Sequence, residues 1–469
     1  MMQTKKQKVK NTTPLIAKQR SYKEITTLLD GQWSESLRST SSRSMTQLDK
    51  ALGSPSKKLK VISIGGSNGK SLTINFVTQL LTNEGLKVGS FYSPHFIAYN
   101  ERIAYNNEQI TNNDFADISN EVVNTAASLD INIHAEELLT MTALYYFAQK
   151  NIDVAVLEFG HTKNFDATTI CTPIISAITR FTDIDEVDQE KVKTCLASFK
   201  SIIKKNTWVI SADQNKFNLQ TIQAMAEEAN GKWAMPIRKL ANLAYPFEQL
   251  HGRCAALAER AAQIFVQEVA TSGAIIIQES LLAKPKGQRG RPTLEAKRQS
   301  KLNPKKTTEQ YWDETLNTLP GRFELIKDTK PMVLLDNASN LDAFKNLLLG
   351  VRLLHYDRTL KGLTIIVGCE NNNLINTEFY KIIRYFFKKT SGQILFCPVT
   401  KDAQNQTEWN VEQITNDTKN VKVKAKSTKT FTQAFDSAKK AVDEHGGLIV
   451  ITGSRAIISE YWQTKGSKK

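Results

Sequence analysis

Two hydrophobic patterns alternate along this chain. Short runs of β-branched and aliphatic residues end in glycine or polar turns, and longer stretches carry apolar residues three or four positions apart. In the first two thirds the short runs are Leu59 to Gly65, Lys87 to Tyr92, Asp153 to Glu158, Ile174 to Thr179 and Trp208 to Ser211. The longer stretches predict helices over Ser71 to Glu84, Asn113 to Ala127, Glu136 to Lys150 and Asp213 to Ala229, with Asp213 as N-cap of the last. The alternation restarts with strands at Met332 to Asp336, Leu363 to Gly368, Ile394 to Pro398 and Leu448 to Thr452, separated by further helical segments. Strands that alternate with helices imply parallel sheets, so two successive α/β units are expected. No repeat of fixed period is present.

Length agrees with that division, because 469 residues exceed what one small module needs. No apolar run approaches the ~20 residues that cross a bilayer, and no apolar segment follows the basic N-terminus as a secretory signal requires. A cytoplasmic, soluble monomer without membrane contact is expected. Cys171, Cys195, Cys254, Cys369 and Cys397 are scattered and include no CxxC pair, so neither a disulfide framework nor a zinc knuckle is indicated.

The net charge of +15 points to nucleic acid until its location is considered. Residues 1–23 hold seven Lys or Arg and no acid, and residues 284–306 hold nine against Glu295 alone. Those two segments account for the whole excess. The expected organisation is a basic N-terminal arm with a leading helix (1–44), a nucleotide-binding domain (45–318) carrying a solvated, flexible basic insert at 284–306, and a smaller Rossmann-like domain (319–469). Nucleic acid is retained as an alternative partner for the basic arms.

The strongest chemical signal is KVISIGGSNGKSLTINFVTQLL, a β-branched strand that enters glycines and then an amphipathic helix. Such a turn aims backbone N–H groups and a helix N-terminus at an anion. Gly66, Ser67, Asn68, Gly69, Lys70 and Ser71 are the candidate phosphate cradle, with Lys70 on an exposed loop reaching the terminal phosphates and the Ser71 hydroxyl available to Mg²⁺. Position 64 is Ile, so the full GxxxxGK[ST] spacing is not met. The competing reading is a glycine-rich turn with a surface lysine.

Further motifs follow in order: SFYSPHFIAYNERIAYNNEQIT, LLTMTALYYFAQKNIDVAVLEFG, FDATT, LPGRFE and LLDNASN. Their order and separation, over roughly Met45 to Glu460, resemble folylpolyglutamate synthase and dihydrofolate synthase, of the Mur ligase superfamily. The resemblance implies a P-loop-type N-terminal ATPase domain with a parallel sheet, a smaller Rossmann-like C-terminal domain, and ATP- and Mg²⁺-dependent addition of glutamate to a pteroate or folate through an acyl phosphate. It further implies dihydropteroate or a reduced folate as the small-molecule substrate, within folate and one-carbon metabolism. Carried onto this chain, it assigns Asn68, Gly69 and Lys70 to the triphosphate, Ser93 and Glu158 to Mg²⁺, and Arg322 and Asp336 to ATP from the second domain.

Departures fall at chemical positions. Thr162, Lys163 and Asn164 replace the family's paired glycines and arginine, and Asp185 stands where a metal-binding histidine is usual. The lysine that the family carbamylates aligns with Phe199, with Lys200 one position away. Cys254-Ala255 and Ser339 replace further polar groups. Two readings follow: a diverged ligase in which Asp185 and Lys200 compensate, or a catalytically weakened ATP-binding member of the fold, associated with nucleic acid through its basic arms. Each motif residue also has a plainer role open to it, Ser93-Pro94-His95 as a turn, Arg322 and Asp336 as a surface arginine and a strand-end carboxylate, His161 as a loop residue.

Overall fold

The computed structural model describes residues 18–34, 42–160, 166–182, 189–213, 215–236, 248–269, 319–357, 359–369, 374–399 and 410–466. The basic insert 284–306, the boundary near Thr318, and residues 161–165 and 183–188 lie outside them.

The first domain opens with helices α1 (Tyr22–Ser34), α2 (Ser42–Ala51) and α3 (Pro55–Lys58), then strand β1 (Val61–Gly65) and α4 (Lys70–Asn83). There follow β2 (Val88–Phe91), β3 (Ile103–Tyr105), β4 (Glu108–Gln109), α5 (Asn112–Ser128), α6 (Ala135–Gln149), β5 (Val154–Glu158) and β6 (Pro173–Ile178). Helix α7 (Gln189–Leu196), β7 (Trp208–Ser211), α8 (Lys216–Glu228), β8 (Lys232–Ala234) and α9 (Glu248–Glu268) complete it. Its sheet has the order β4-β3-β2-β5-β1-β6-β7-β8. Strands β2, β5, β1, β6, β7 and β8 run parallel, while β3 and β4 form an antiparallel edge.

Every residue of β1 and of β5 is buried, which is why both read as continuous apolar runs rather than as alternating ones. One face of the sheet is covered by α5 and α6 through Phe115, Leu138 and Phe147, together with Ile25 and Leu29 of α1. The other face packs on α4 and α9 through Ile74, Val77, Leu257 and Phe265. β1 is the middle of this sandwich, with β5 and β6 on either side, so the turn that leaves it opens at the carboxyl edge of the sheet. Ligands of open parallel sheets bind at that edge.

The second domain holds β9 (Glu324–Ile326), β10 (Met332–Asp336), β11 (Leu363–Val367), β12 (Gln393–Phe396), β13 (Ala425–Ser427) and β14 (Leu448–Thr452), in the order β13-β12-β11-β14-β10-β9. Only β9 pairs antiparallel among these strands. Helices Leu341–Asp357 and Thr377–Lys389 cover one face, and Phe431–Ala441 and Arg455–Thr464 the other. The second of those cores also contains Phe96, which belongs to the first domain.

The strands expected from the sequence are present, each within two residues of its predicted ends. The expected start of the fourth helix is corrected. Its N-cap is Asn215, whose side chain accepts from the Phe217 and Asn218 amides. Asp213 is instead buried before the helix, where it accepts from Phe181 N–H at 3.0 Å, Asn215 N–H at 2.8 Å and Asn218 Nδ2 at 3.0 Å. The short strands β3, β4, β8, β9 and β13, at or next to the sheet edges, carry no sequence signal because two or three residues leave no periodicity to detect.

Candidate active site

The turn Gly66 to Gly69 joins β1 to α4 in a conformation that its glycines make accessible. Gly66 has φ 128 and Gly69 φ 85, values that side chains disfavour. A Cβ on Gly66 would lie 2.1 Å from Thr179 Oγ1, and one on Gly69 2.6 Å from Cys254 Sγ. Neighbouring strands hold the turn: Ser67 N–H donates to Arg180 O at 2.7 Å, and the Thr179 hydroxyl donates to Asn68 O at 2.7 Å and Gly65 O at 3.1 Å.

Lys70 and Ser71 are the first residues of α4. Lys70 is not on an exposed loop as expected. Its Nζ curls back over the turn, donating to Gly66 O at 2.8 Å and Ser67 O at 3.4 Å, and lies 3.9 Å from Glu158 Oε1. The buried Ser71 hydroxyl donates to Glu158 Oε2 at 3.0 Å, and the Ser93 amide donates to the same oxygen at 3.2 Å. Glu158, the last residue of β5, therefore ties the phosphate-type turn to the loop after β2.

That loop starts with Ser93 and Pro94 and is held from behind by Arg102. The guanidinium donates from Nε to His95 Nδ1 at 2.9 Å and from Nη1 to Ser93 Oγ at 3.4 Å. Burial and the neighbouring arginines hold the His95 pKa down to about 2, so the imidazole is a neutral acceptor here. This matches the plainer role of a satisfied turn histidine.

A cavity of about 630 Å³ separates these groups from the second domain. Ser67, Asn68, Gly69, Lys70, Ser71, Ser93 and Glu158 line one wall, and Arg322, Asp336, Asn337, Ser339 and Asn340 line the other. Arg322 lies with its guanidinium 4.9 Å from the centre of the Phe96 ring and donates to Pro94 O at 3.4 Å. Asp336 accepts from Phe323 N–H at 2.8 Å, and burial pushes its pKa up to about 7 against the opposing pull of Arg322. The Asn337 side-chain oxygen is buried on this wall with no hydrogen-bond partner among the described residues.

Three residue pairs across the cavity had no sequence expectation. Asn68 Nδ2 donates to Asn340 Oδ1 at 3.1 Å and Asp342 Oδ2 at 3.0 Å, and Asn340 Nδ2 returns a bond to Asn68 Oδ1 at 2.9 Å. Arg180 pairs with Asp342 at 2.5 Å. Asn340 and Arg180 adjoin recognised motifs, LLDNASN and the strand ending at Thr179, but nothing in their spacing marks them as partners across a cleft.

Lys200 does not compensate for the aligned Phe199. Its ammonium pairs with Glu228 at 2.8 Å on the surface, with both side chains about half exposed. Phe199 is fully buried against Phe159, and a Cβ on Gly65 would meet its ring at 2.7 Å, so an apolar plug fills that position. Asp185 and His161 lie outside the described residues, as do Thr162, Lys163 and Asn164. Cys254 does line the cavity, directly beside Gly69.

Comparison with known proteins agrees with this architecture. No family model matches the chain. Folylpolyglutamate synthase of Mycobacterium tuberculosis, in complex with ADP, superposes with a TM-score of 0.72 at 18% identity, covering 95% of this chain and 98% of that one. The bifunctional folylpolyglutamate synthase/dihydrofolate synthase of Yersinia pestis, in complex with AMPPNP and Mn ion, gives a TM-score of 0.68 at 18% identity, covering 96% and 98%. Two α/β domains flanking one cleft are the fold that this chain shares with these neighbours. At the sequence level, the dihydrofolate synthase/folylpolyglutamate synthase of Bacillus subtilis is 28% identical over 326 residues, 65% of this chain and 70% of its own length. The folylpolyglutamate synthase of Lacticaseibacillus casei is 28% identical over 340 residues, 68% of this chain and 73% of its own. By sequence the chain is therefore similar to folylpolyglutamate synthases and dihydrofolate synthases, and it shares their fold.

Proposed function

We propose that this chain is an ATP- and magnesium-dependent ligase that joins glutamate to the carboxylate of a pteroate or folate through an acyl phosphate. The carrying observation is the convergence on one cavity of Lys70, Ser71, Ser93 and Glu158 from one domain with Arg322 and Asp336 from the other. Phosphoryl transfer asks a protein mainly for positioning and for charge that offsets the phosphates. Amides of the Gly66 to Ser71 turn and Lys70 would cradle the triphosphate, exchanging the lysine's present carbonyl partners for phosphate oxygens. Arg322 would face the nucleotide from the opposite wall.

The residues fit magnesium. Among the described residues no three His, Cys, Asp or Glu side chains gather into a dedicated metal cage. Magnesium is commonly held by one or two carboxylates together with substrate phosphates, keeping several waters. Glu158 with the hydroxyls of Ser71 and Ser93 offers that kind of hard-oxygen set, and Asp185 is proposed as a second carboxylate. Once bound, the ion would neutralise charge on the phosphates. The cleft between domains excludes water from a reactive acyl phosphate when it closes.

Mass analysis of products formed from ATP, Mg²⁺ and glutamate tests the reading, with dihydropteroate and tetrahydrofolate offered separately. A glutamate adduct of either is expected. Nucleotide binding without any adduct would favour the catalytically weakened alternative, for which the apolar Phe199 and the outward-facing Lys200 are the specific observations.

A further inference from the structure

We propose that Glu101 is a positioning residue that couples assembly of the Ser93–Glu158 side of the site to the placement of the second domain. Its carboxylate accepts three consecutive backbone amides, Phe96 at 2.8 Å on Oε2, and Ile97 at 2.8 Å and Ala98 at 2.7 Å on Oε1. An anion that collects three N–H groups fixes the backbone of that segment far more firmly than a single turn bond would.

The loop that carries these amides, Ser93 to Ala98, is attached at two places. At its start stands Ser93, which donates its amide to Glu158. In its middle Phe96 leaves the first domain altogether, 4% exposed, and packs among Val333, Leu335, Ile366 and Ile457 of the second. Ser459 Oγ donates to Phe96 O at 2.9 Å, Arg322 lies over its ring, and Gly321 approaches so closely that a Cβ there would sit 2.9 Å from Phe96 Cε1. Seating the aromatic ring in the second domain and placing Ser93 beside Glu158 are therefore one geometric event, transmitted through the backbone that Glu101 holds. Glu101 lines neither wall of the cavity.

The inference rests on Ser93 and Glu158 forming the magnesium side of the site, so the experiment separates the two ideas. Glu101→Ala and Glu101→Gln are compared with wild type by amide hydrogen exchange at residues 96–98, thermal midpoint, kcat, KM for ATP, and the Mg²⁺ concentration giving half-maximal rate. Released amides should exchange faster in Glu101→Ala. A misplacement of Ser93 by about 1 Å should lower kcat by about a hundredfold and raise the Mg²⁺ requirement, with KM for ATP little changed because the phosphate turn is untouched. Glu101→Gln keeps an acceptor for two of the amides and should fall between. A purely structural role would lower the thermal midpoint and the active fraction without moving the Mg²⁺ dependence.

Unchanged exchange at residues 96–98, or faster exchange with wild-type kcat and Mg²⁺ dependence, overturns the proposal. Should Glu101→Ala fail to fold, Glu101→Gln and Phe96→Leu carry the same readouts. Lys70→Ala serves as control. If it retains turnover, the ligase reading itself fails, whereas loss of turnover there with normal Glu101 variants defeats only the coupling.

Discussion

Lys70 hydrogen-bonds to two carbonyls of its own turn and sits near Glu158, so its ammonium is already aimed at the place where phosphates would lie. Lys70→Ala should abolish ATP turnover, read by phosphate release, while lowering the thermal midpoint only slightly, because the side chain contributes charge rather than packing. Wild-type turnover in that variant would refute the phosphate role. Asp336 gives a pH signature. Its folded-state pKa is pushed up to about 7 from 3.8 by burial, so the folded protein binds more protons than the unfolded chain between those values. Its contribution to stability is fully present below 3.8 and is lost as pH rises towards 7. Asp336→Asn keeps an acceptor for Phe323 N–H and should flatten that decline, seen in thermal midpoints across pH. An identical pH profile would show that the carboxyl titrates alike in the folded and unfolded states, and that burial does not raise its pKa. The motif residues were legible because each stands where a strand meets a turn or a helix. Arg102, Asn340 and Asp342 were not, since their roles depend on contacts that only the assembled cleft creates.

Helix α8 shows how far periodicity alone reaches. The apolar spacing located the helix and pointed to Asp213 as its cap, but burial moves the cap to Asn215. Asp213 is drawn inward by the Phe181 amide and by Asn218, which leaves Asn215 to cap. Asn215→Ala should then cost about 1 kcal/mol in denaturant unfolding, the usual loss for an N-cap, and Asp213→Ala should cost more because it strips an acceptor from three buried or part-buried donors. Equal losses would contradict the assignment. Central strands were readable for the opposite reason. With both faces covered, β1 and β5 are apolar along nearly their whole length, and Glu158 stands out as a buried charged residue at the carboxyl edge of the sheet.

At the scale of the molecule, the excess charge is confined to two segments of the chain. Residues 284–306, outside the described residues, carry nine cations and few apolar side chains, a composition that disfavours core formation in general. Their replacement by a short Gly/Ser linker should leave turnover and thermal midpoint near wild type. A large fall in either would show that the segment packs on a domain or takes part in the reaction. Among the described residues no helix is long and apolar enough to cross a membrane. The two-domain organisation followed from the restart of the strand and helix alternation near residue 320, and the resemblance implied a site shared between the domains, while the direct contacts among Asn68, Asn340, Arg180 and Asp342 had no sequence signal, because these are polar residues of ordinary surface type.

Phe96 makes the boundary between the domains differ in space from the boundary along the chain. Anyone who divides the gene near residue 318 inherits the consequence. The N-terminal product would display an unhoused aromatic ring to solvent, and the C-terminal product would carry a vacant socket floored by Leu335 and Ile457. Produced apart, the halves would be sticky and incomplete. Produced together, they would have a ready-made plug and receptacle through which to find each other, so this chain is suited to complementation by fragments rather than to dissection into independent modules.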